Sequence, residues 1–251
     1  MSIRKHSKNF EVRYNEVNRF KEATPLTILN YLEEAAISHS SFVGYDIDRL
    51  KSDGLGWVLN RWILHIDKYP VWNELVIVET WPSSFERFYA TREFFIKDPD
   101  GVIIGRAASL WILINIEKRR PTRIPENFGE VYGINEIKAL EDSFREIRLL
   151  GEPEFCRDFS VRQSDIDTNG HVNNCNYVEW MLEALPQEVN LEYYLSSLEI
   201  EYKKETGYGE EIISKCKNIN NAGPALEFVH TVQGNGGKGE LAVGRTLWKK
   251  R

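Results

Sequence analysis

The chain repeats itself, and the repeat limits what it can fold into more than any other feature. The segment FEVRYNEVNRFKEATPLTILNYLEEA begins at Phe10, and it lies without a gap over FSVRQSDIDTNGHVNNCNYVEWMLEA, which begins at Phe159, 149 residues further on. Phe10, Val12, Arg13, Glu34 and Ala35 recur as Phe159, Val161, Arg162, Glu183 and Ala184. Val17, Tyr31 and Leu32 meet the similar Ile166, Trp180 and Met181. A chain of 251 residues divided this way must build two small cores of one design.

Each copy shows the same order of elements. A short alternating strand comes first (Phe10, Val12, Tyr14; Phe159, Val161, Gln163), then a polar loop, then a helix. Thr24 before Pro25 reads as an N-cap with proline in the first turn, and Asn173 or Asn174 can cap the second helix. Leu26, Leu29, Leu32 and Ala36 recur at helical spacing, as do Tyr177, Met181 and Ala184. Four strands follow each helix: GWVLNRWILHI, ELVIVETW, FYATREFFI and VIIGRAASLWILINI in the first copy, and SLEIEYKKE, EIISKCKNI, ALEFVHTVQ and LAVGRTLW in the second. DPDG (Asp98 to Gly101) and GNGGKG (Gly234 to Gly239) supply hairpin turns at matching places, and a Gly-Arg pair returns near each copy's end. The expected class is α+β, one antiparallel sheet against one helix per copy. The units are expected at residues 1–125 and 158–251, joined by a connector at 126–157. Within that connector Ile137, Leu140, Phe144 and Ile147 suggest a short amphipathic helix.

Composition excludes several classes. No apolar run is long enough to span a bilayer, and the opening MSIRKHSKNFEVRY lacks the apolar core of a signal peptide and the Ser/Arg-rich, acid-poor character of a transit peptide, so a cytoplasmic protein is expected. Cys156, Cys175 and Cys216 are odd in number and without CxxC spacing, against a disulfide framework or structural zinc; no metal or cofactor is expected. A net charge of −6 disfavours nucleic acid, yet an acidic partner remains open through a local basic cluster, either Lys118, Arg119, Arg120 and Arg123 or Lys249, Lys250 and Arg251.

Where one copy carries a task, the copies should differ. Asn18, Phe20 and Glu22 of the first loop stand against Asp167, Asn169 and His171 of the second. The second loop, SDIDTNGHVNN, gathers titratable and hydrogen-bonding side chains just before a helix. Hydrolysis of a thioester needs a base to activate water and donors for the developing oxyanion; a helix N-terminus offers unpaired N–H groups and partial positive charge, and Gly170 lets backbone approach a ligand. Asp167, Asn169 and His171 alternate, so an extended loop would point them one way. Loop capping with a satisfied histidine is the plainer explanation of any single member.

The stretch DIDTNGHVNNCNYVEWMLEA resembles the hot-dog-fold thioesterases, most closely the acyl-acyl-carrier-protein thioesterases, which carry a similar D-x-N-x-H-V-N-N-x-x-Y-x-x-W run. The resemblance spans nearly the whole chain and implies a tandem, or double, hot-dog fold, each unit a sheet wrapped around a central helix. It implies a hydrolase of fatty acyl-carrier thioesters, terminating chain elongation, with an acyl carrier protein as partner. Asp167, Asn169 and His171 fall on family site positions. A second family element, a strand ending E-Y-R-R-E-C-G, reads here Glu201-Tyr202-Lys203-Lys204-Glu205-Thr206-Gly207. Glu205 matches the family glutamate, while Thr206 replaces the cysteine and argues against a thiol nucleophile, because a hydroxyl needs a strong adjacent base. Water attack is therefore expected, with Glu205 or Asp167 as base or orienter, Asn169 and His171 positioning, and lesser parts for Thr206, Asn173 and Asn174. Cys175 reads as a small buried residue. By the resemblance the first copy lines the acyl pocket; Trp57, Trp62, Trp72, Phe94 and Phe95 read equally as core.

Several alternatives stay open. An acyl-coenzyme A thioesterase would use the same residues. A hot-dog hydratase resembles D-x-N-P-x-H, where this chain has Gly170. A non-catalytic carrier-binding protein would bind the same ligand. Asp165-x-Asp167-x-Asn169-Gly170 also fits the first half of a calcium loop, but position twelve is Asn176, not glutamate, and FSVRQ alternates like a strand. Monomer and homodimer are both compatible with a doubled unit.

Overall fold

The computed structural model describes residues 5–142, 144–148, 151–220, 223–235 and 239–251. The chain forms two compact units, one of residues 1–60 and 64–143, the other of 61–63 and 144–251.

In the first unit β1 (His6–Glu11) leads through a 3-10 turn to α1 (Pro25–Phe42) and the short α2 (Ile47–Ser52). Next come β2 (Leu55–Ile66), β3 (Leu75–Glu86), β4 (Tyr89–Lys97), β5 (Ile103–Asn115), β6 (Arg120–Pro121) and α3 (Phe128–Tyr132). The second unit runs β7 (Phe155–Ser160), a 3-10 turn, α4 (Asn174–Glu183), α5 (Gln187–Glu192), β8 (Tyr193–Tyr202), β9 (Glu211–Asn220), β10 (Ala225–Gly234) and β11 (Gly239–Lys250). Strand order is β1-β3-β4-β5-β2 in one and β7-β9-β10-β11-β8 in the other. The two orders match strand for strand. This is the expected α+β arrangement, a hot-dog sheet with its long helix packed on it.

Both helices start where the capping residues place them. Thr24 Oγ1 accepts from Thr27 N at 3.1 Å with Pro25 at N1, and Asn173 Oδ1 accepts from Cys175 N at 2.9 Å. Ile28, Leu29, Leu32 and Ala35 of α1 and Val178, Trp180 and Met181 of α4 are buried against their sheets. The repeated Gly-Arg pair has a packing cause: a Cβ on Gly244 would lie 2.8 Å from Met181 Sδ, and one on Gly105 would lie 3.0 Å from His65 O and from the Ile66 and Ile96 side chains. Of the aromatics read as core, Trp62 and Phe94 are buried, but Trp72 is exposed and edge-on to Tyr14.

Three local expectations are corrected. The opening strands end earlier, because Tyr14 and Gln163 sit in 3-10 turns closed by Glu16 and Asp165, whose carboxylates accept from Arg13 N and Arg162 N at 2.8 Å. The described connector residues 134–142 and 144–148 are not helical; instead their backbone is held from the side, Trp81 Nε1 donating to Ile137 O at 2.9 Å and Ala139 N to the buried Glu93 Oε2 at 3.0 Å. Finally, β8 stops at Tyr202, and Lys203 and Lys204 both donate backbone N–H to Leu241 O, so Glu205 lies beyond the strand. The Asp98 turn is present, Val102 N donating to Asp98 Oδ1 at 2.9 Å. Of GNGGKG, residues 236–238 lie outside the described residues.

Candidate active site

The loop before α4 is a closed turn, not the extended segment expected. Ile166 and Val172 pair as an antiparallel bridge, Asp167 N donates to His171 O at 2.8 Å, and Gly170, at φ 80°, donates to Asp167 O at 3.1 Å. The Asp167 carboxylate lies inside the turn: Oδ1 accepts from Asn169 N at 2.7 Å and His171 N at 3.2 Å, and Oδ2 from Asn169 Nδ2 at 3.3 Å. The turn is the sort that Asx side chains stabilise. Alternation failed as a guide because the spacing rule belongs to strands.

The first copy closes the same turn with other side chains. Asn18 Oδ1 accepts from Phe20 N at 2.8 Å and Glu22 N at 3.1 Å, Asn18 N donates to Glu22 O at 2.8 Å, and Lys21 takes the left-handed place of Gly170 at φ 63°. Turn closure is therefore common property. What distinguishes the second copy is what stands around the turn.

His171 meets Glu205 there, Nδ1 to Oε2 at 3.3 Å. Val172 N donates to Thr206 O at 3.3 Å, which brings the segment after β8 against the loop. In the first copy the equivalent bond runs from Ala23 N to Pro70 O, so Glu22 and the buried Tyr69 stand where His171 and Glu205 stand. Among the described residues only the second copy joins imidazole to carboxylate at this turn.

The remaining predicted residues fall close by. Asn173 caps α4, and Asn174, the first helical residue, offers its carbonyl to Tyr202 Oη at 3.2 Å. Thr206 is buried, and its Oγ1 has no hydrogen-bond partner among the described residues. Cys175 is buried as expected; Cys216 is buried with its thiol pushed up to about 12 by desolvation, so neither sits as an activated nucleophile, and Cys156 lies exposed on β7. Asp165 is buried with Arg162 Nη2 2.9 Å from its Oδ1 and follows a strand, contrary to a calcium loop.

Two residues escaped the sequence reasoning as polar groups. Tyr177 bonds the Thr206 backbone, and its phenol is raised to about 12, mainly by burial and secondarily by Glu205. Its ring meets Tyr202 edge-on at 5.7 Å. The signal was available: the first copy has Ile28 and Ile66 at the two places, so two apolar residues become tyrosines only beside this turn.

The N-terminal domain model of acyl-ACP thioesterases matches residues 4–132, and the C-terminal domain model matches 151–250. The chain belongs to the acyl-ACP thioesterase family. It is 28% identical to oleoyl-acyl carrier protein thioesterase 1 of Arabidopsis thaliana over 98% of this chain and 76% of that one. It is 31% identical to the palmitoyl-acyl carrier protein thioesterase of Gossypium hirsutum, over 98% of this chain but 64% of the relative's length. Among solved structures, an acyl-ACP thioesterase from Bacteroides thetaiotaomicron superposes with a TM-score of 0.87 at 28% identity, covering 97% of each chain. The fold of this family member is thus shared along nearly its whole length. No helix among the described residues is long and apolar enough to cross a membrane.

Proposed function

We propose that the protein hydrolyses fatty acyl-acyl-carrier-protein thioesters to free fatty acid and carrier thiol, ending chain elongation. The observation that carries this is the His171–Glu205 pair at 3.3 Å beside the capped start of α4, in a member of a thioesterase family. The Glu205 carboxylate 3.3 Å from Nδ1 favours the tautomer that carries its proton there, and it leaves Nε2 to take a proton from water. The water oxygen adds to the thioester carbonyl carbon. The oxyanion is met by the second N–H of the Asn169 amide and by the positive end of α4. Collapse breaks the C–S bond, and the imidazolium passes its proton to the departing thiolate. Asp167 holds Asn169 and His171 in place and does not touch the reacting atoms. Thr206 contributes backbone, not a nucleophile.

The first unit is assigned the acyl tail; Trp57, Phe85, Trp111 and Phe128 gather there with Leu113 and Ile124. A reducing compartment such as the cytoplasm suits the thiols of Cys156 and Cys216. Purified protein given carrier-linked and coenzyme A-linked acyl chains of graded length should release thiol, faster from the carrier form. No release across the whole panel refutes the proposal, and a faster coenzyme A reaction refutes the carrier preference.

A further inference from the structure

The β5–β6 hairpin of the first unit forms a basic groove. A concavity of about 330 Å³ is lined by Phe88, Asn115, Lys118, Arg120, Pro121, Thr122 and Arg123. Arg87 and Arg119 flank these residues in the chain, so five cations belong to two adjoining turns, and all five are exposed. None forms an ion pair among the described residues, although the whole chain carries a net charge of −6 and Glu86, Glu117 and Glu126 follow close in sequence. Cations crowded together without paired carboxylates repel one another, so their charges are not explained by ion pairing within the fold.

The backbone that presents them is firmly held. Arg120 and Pro121 pair with Asn115 and Ile114 across the hairpin, Thr122 N donates to Leu113 O at 2.9 Å, Ile124 N to Arg87 O at 2.8 Å, and Lys118 N to Asn115 Oδ1 at 2.8 Å. Arg87 and Arg119 adopt left-handed backbone, φ 51° and 46°, where glycine or asparagine is the easier residue. The Arg87 guanidinium also lies 4.5 Å from the Phe88 ring centroid. The chain thus keeps arginine at two strained corners around one groove, as happens where strain serves a function. The terminal cluster is the weaker candidate: Arg251 has a partner of its own, and its backbone N donates to Glu192 O.

We infer that this groove is the docking surface for the acidic face of the acyl carrier protein. The inference rests on the carrier reading above and names the surface that recognises it. Acyl carrier proteins are acidic as a class, so an enzyme of net charge −6 repels them except where local positive charge steers approach, and unpaired arginines suit carboxylate recognition. Such an attraction should be salt-sensitive.

The test is direct binding of holo-acyl carrier protein, without an acyl chain, to wild type and to the double variant Arg120→Glu/Arg123→Glu, at low and high salt. The expected result is at least a tenfold rise in Kd for the variant at low salt, with the gap closing as salt increases. KM for acyl-carrier substrate should rise in parallel while kcat holds. Lys249→Glu/Lys250→Glu should leave Kd unchanged. Turnover of an uncharged acyl-N-acetylcysteamine thioester, together with Tm, reports whether the variant is folded; if it is not, Arg120→Gln and Arg123→Gln singly replace it. An unchanged Kd overturns the inference, as does an equal rise for the terminal variant. A rise in KM confined to acyl-coenzyme A would make the groove a nucleotide-phosphate site and also overturn it. Carrier binding without any hydrolysis would instead defeat the proposed activity and leave the docking surface standing.

Discussion

Replacing Glu205 by glutamine is the sharpest probe of the site, since it removes one charge and keeps the shape. In the mechanism above the imidazolium that forms on His171 faces a carboxylate oxygen 3.3 Å away. The two side chains are 45% and 62% exposed, so the dielectric is close to that of water, where unit charges at that distance attract by about 1.3 kcal/mol. Because about 1.4 kcal/mol corresponds to a factor of ten in rate, Glu205→Gln should lower kcat about tenfold, more if the ring also loses its orientation. The same exposure makes the pair nearly irrelevant to stability, about 1 kcal/mol at most, or under about 4 °C in Tm. A continuous thiol-release assay measures the first and thermal unfolding the second; the exposed Cys156 adds a fixed background that an enzyme-only blank removes. Undiminished kcat would refute the role of the carboxylate. A fall in activity matched by a large fall in Tm would show that Glu205 holds the loop and not the ring.

Asp167→Ala, which strips the acceptors of three N–H donors from the turn, should destabilise by about 1–2 kcal/mol in chemical denaturation, whereas Asp167→Asn should cost about 0.5 kcal/mol or less, as Asn18 closes the matching turn in the first copy. Thr206→Ala removes a buried hydroxyl that has no partner, so thiol release should stay within about twofold and Tm should not fall. Acid should unfold the protein in part through His39 and His230, both lowered to about 3, chiefly by burial. Their folded values lie below the ordinary 6.5, so the unfolded chain binds the extra protons and stability is lost progressively as pH falls from 6.5 towards 3. His230→Gln should flatten Tm against pH in that window, and an unchanged slope would count against it.

Much of this was legible because duplication lets one half of the chain annotate the other. Strand composition, the Thr24 and Asn173 caps and the recurring Gly-Arg pair all act locally, and local rules read them. The candidate site was legible as a difference between copies at Asn169 and His171. The rest depended on tertiary bonds. Ile137, Leu140 and Ile147 have helical spacing, yet Trp81 and Glu93 take up backbone groups that a helix would have used. Asp167 is legible from its place in the D-x-N-x-H run, but that its oxygens also close the turn is visible only in the structure. Tyr177 and Tyr202 were hidden because a tyrosine on an apolar face reads as core until its hydroxyl partner is seen.

The shared turn means that the proposed centre needs no backbone that the first half lacks. Asn18 and Lys21 already trace, in the first half, the path that Asp167 and Gly170 trace in the second. Around this turn the two halves thus differ in side chains and not in backbone path. The silent twin is a ready-made blank, against which a transplanted histidine and glutamate at positions 22 and 69 can be judged.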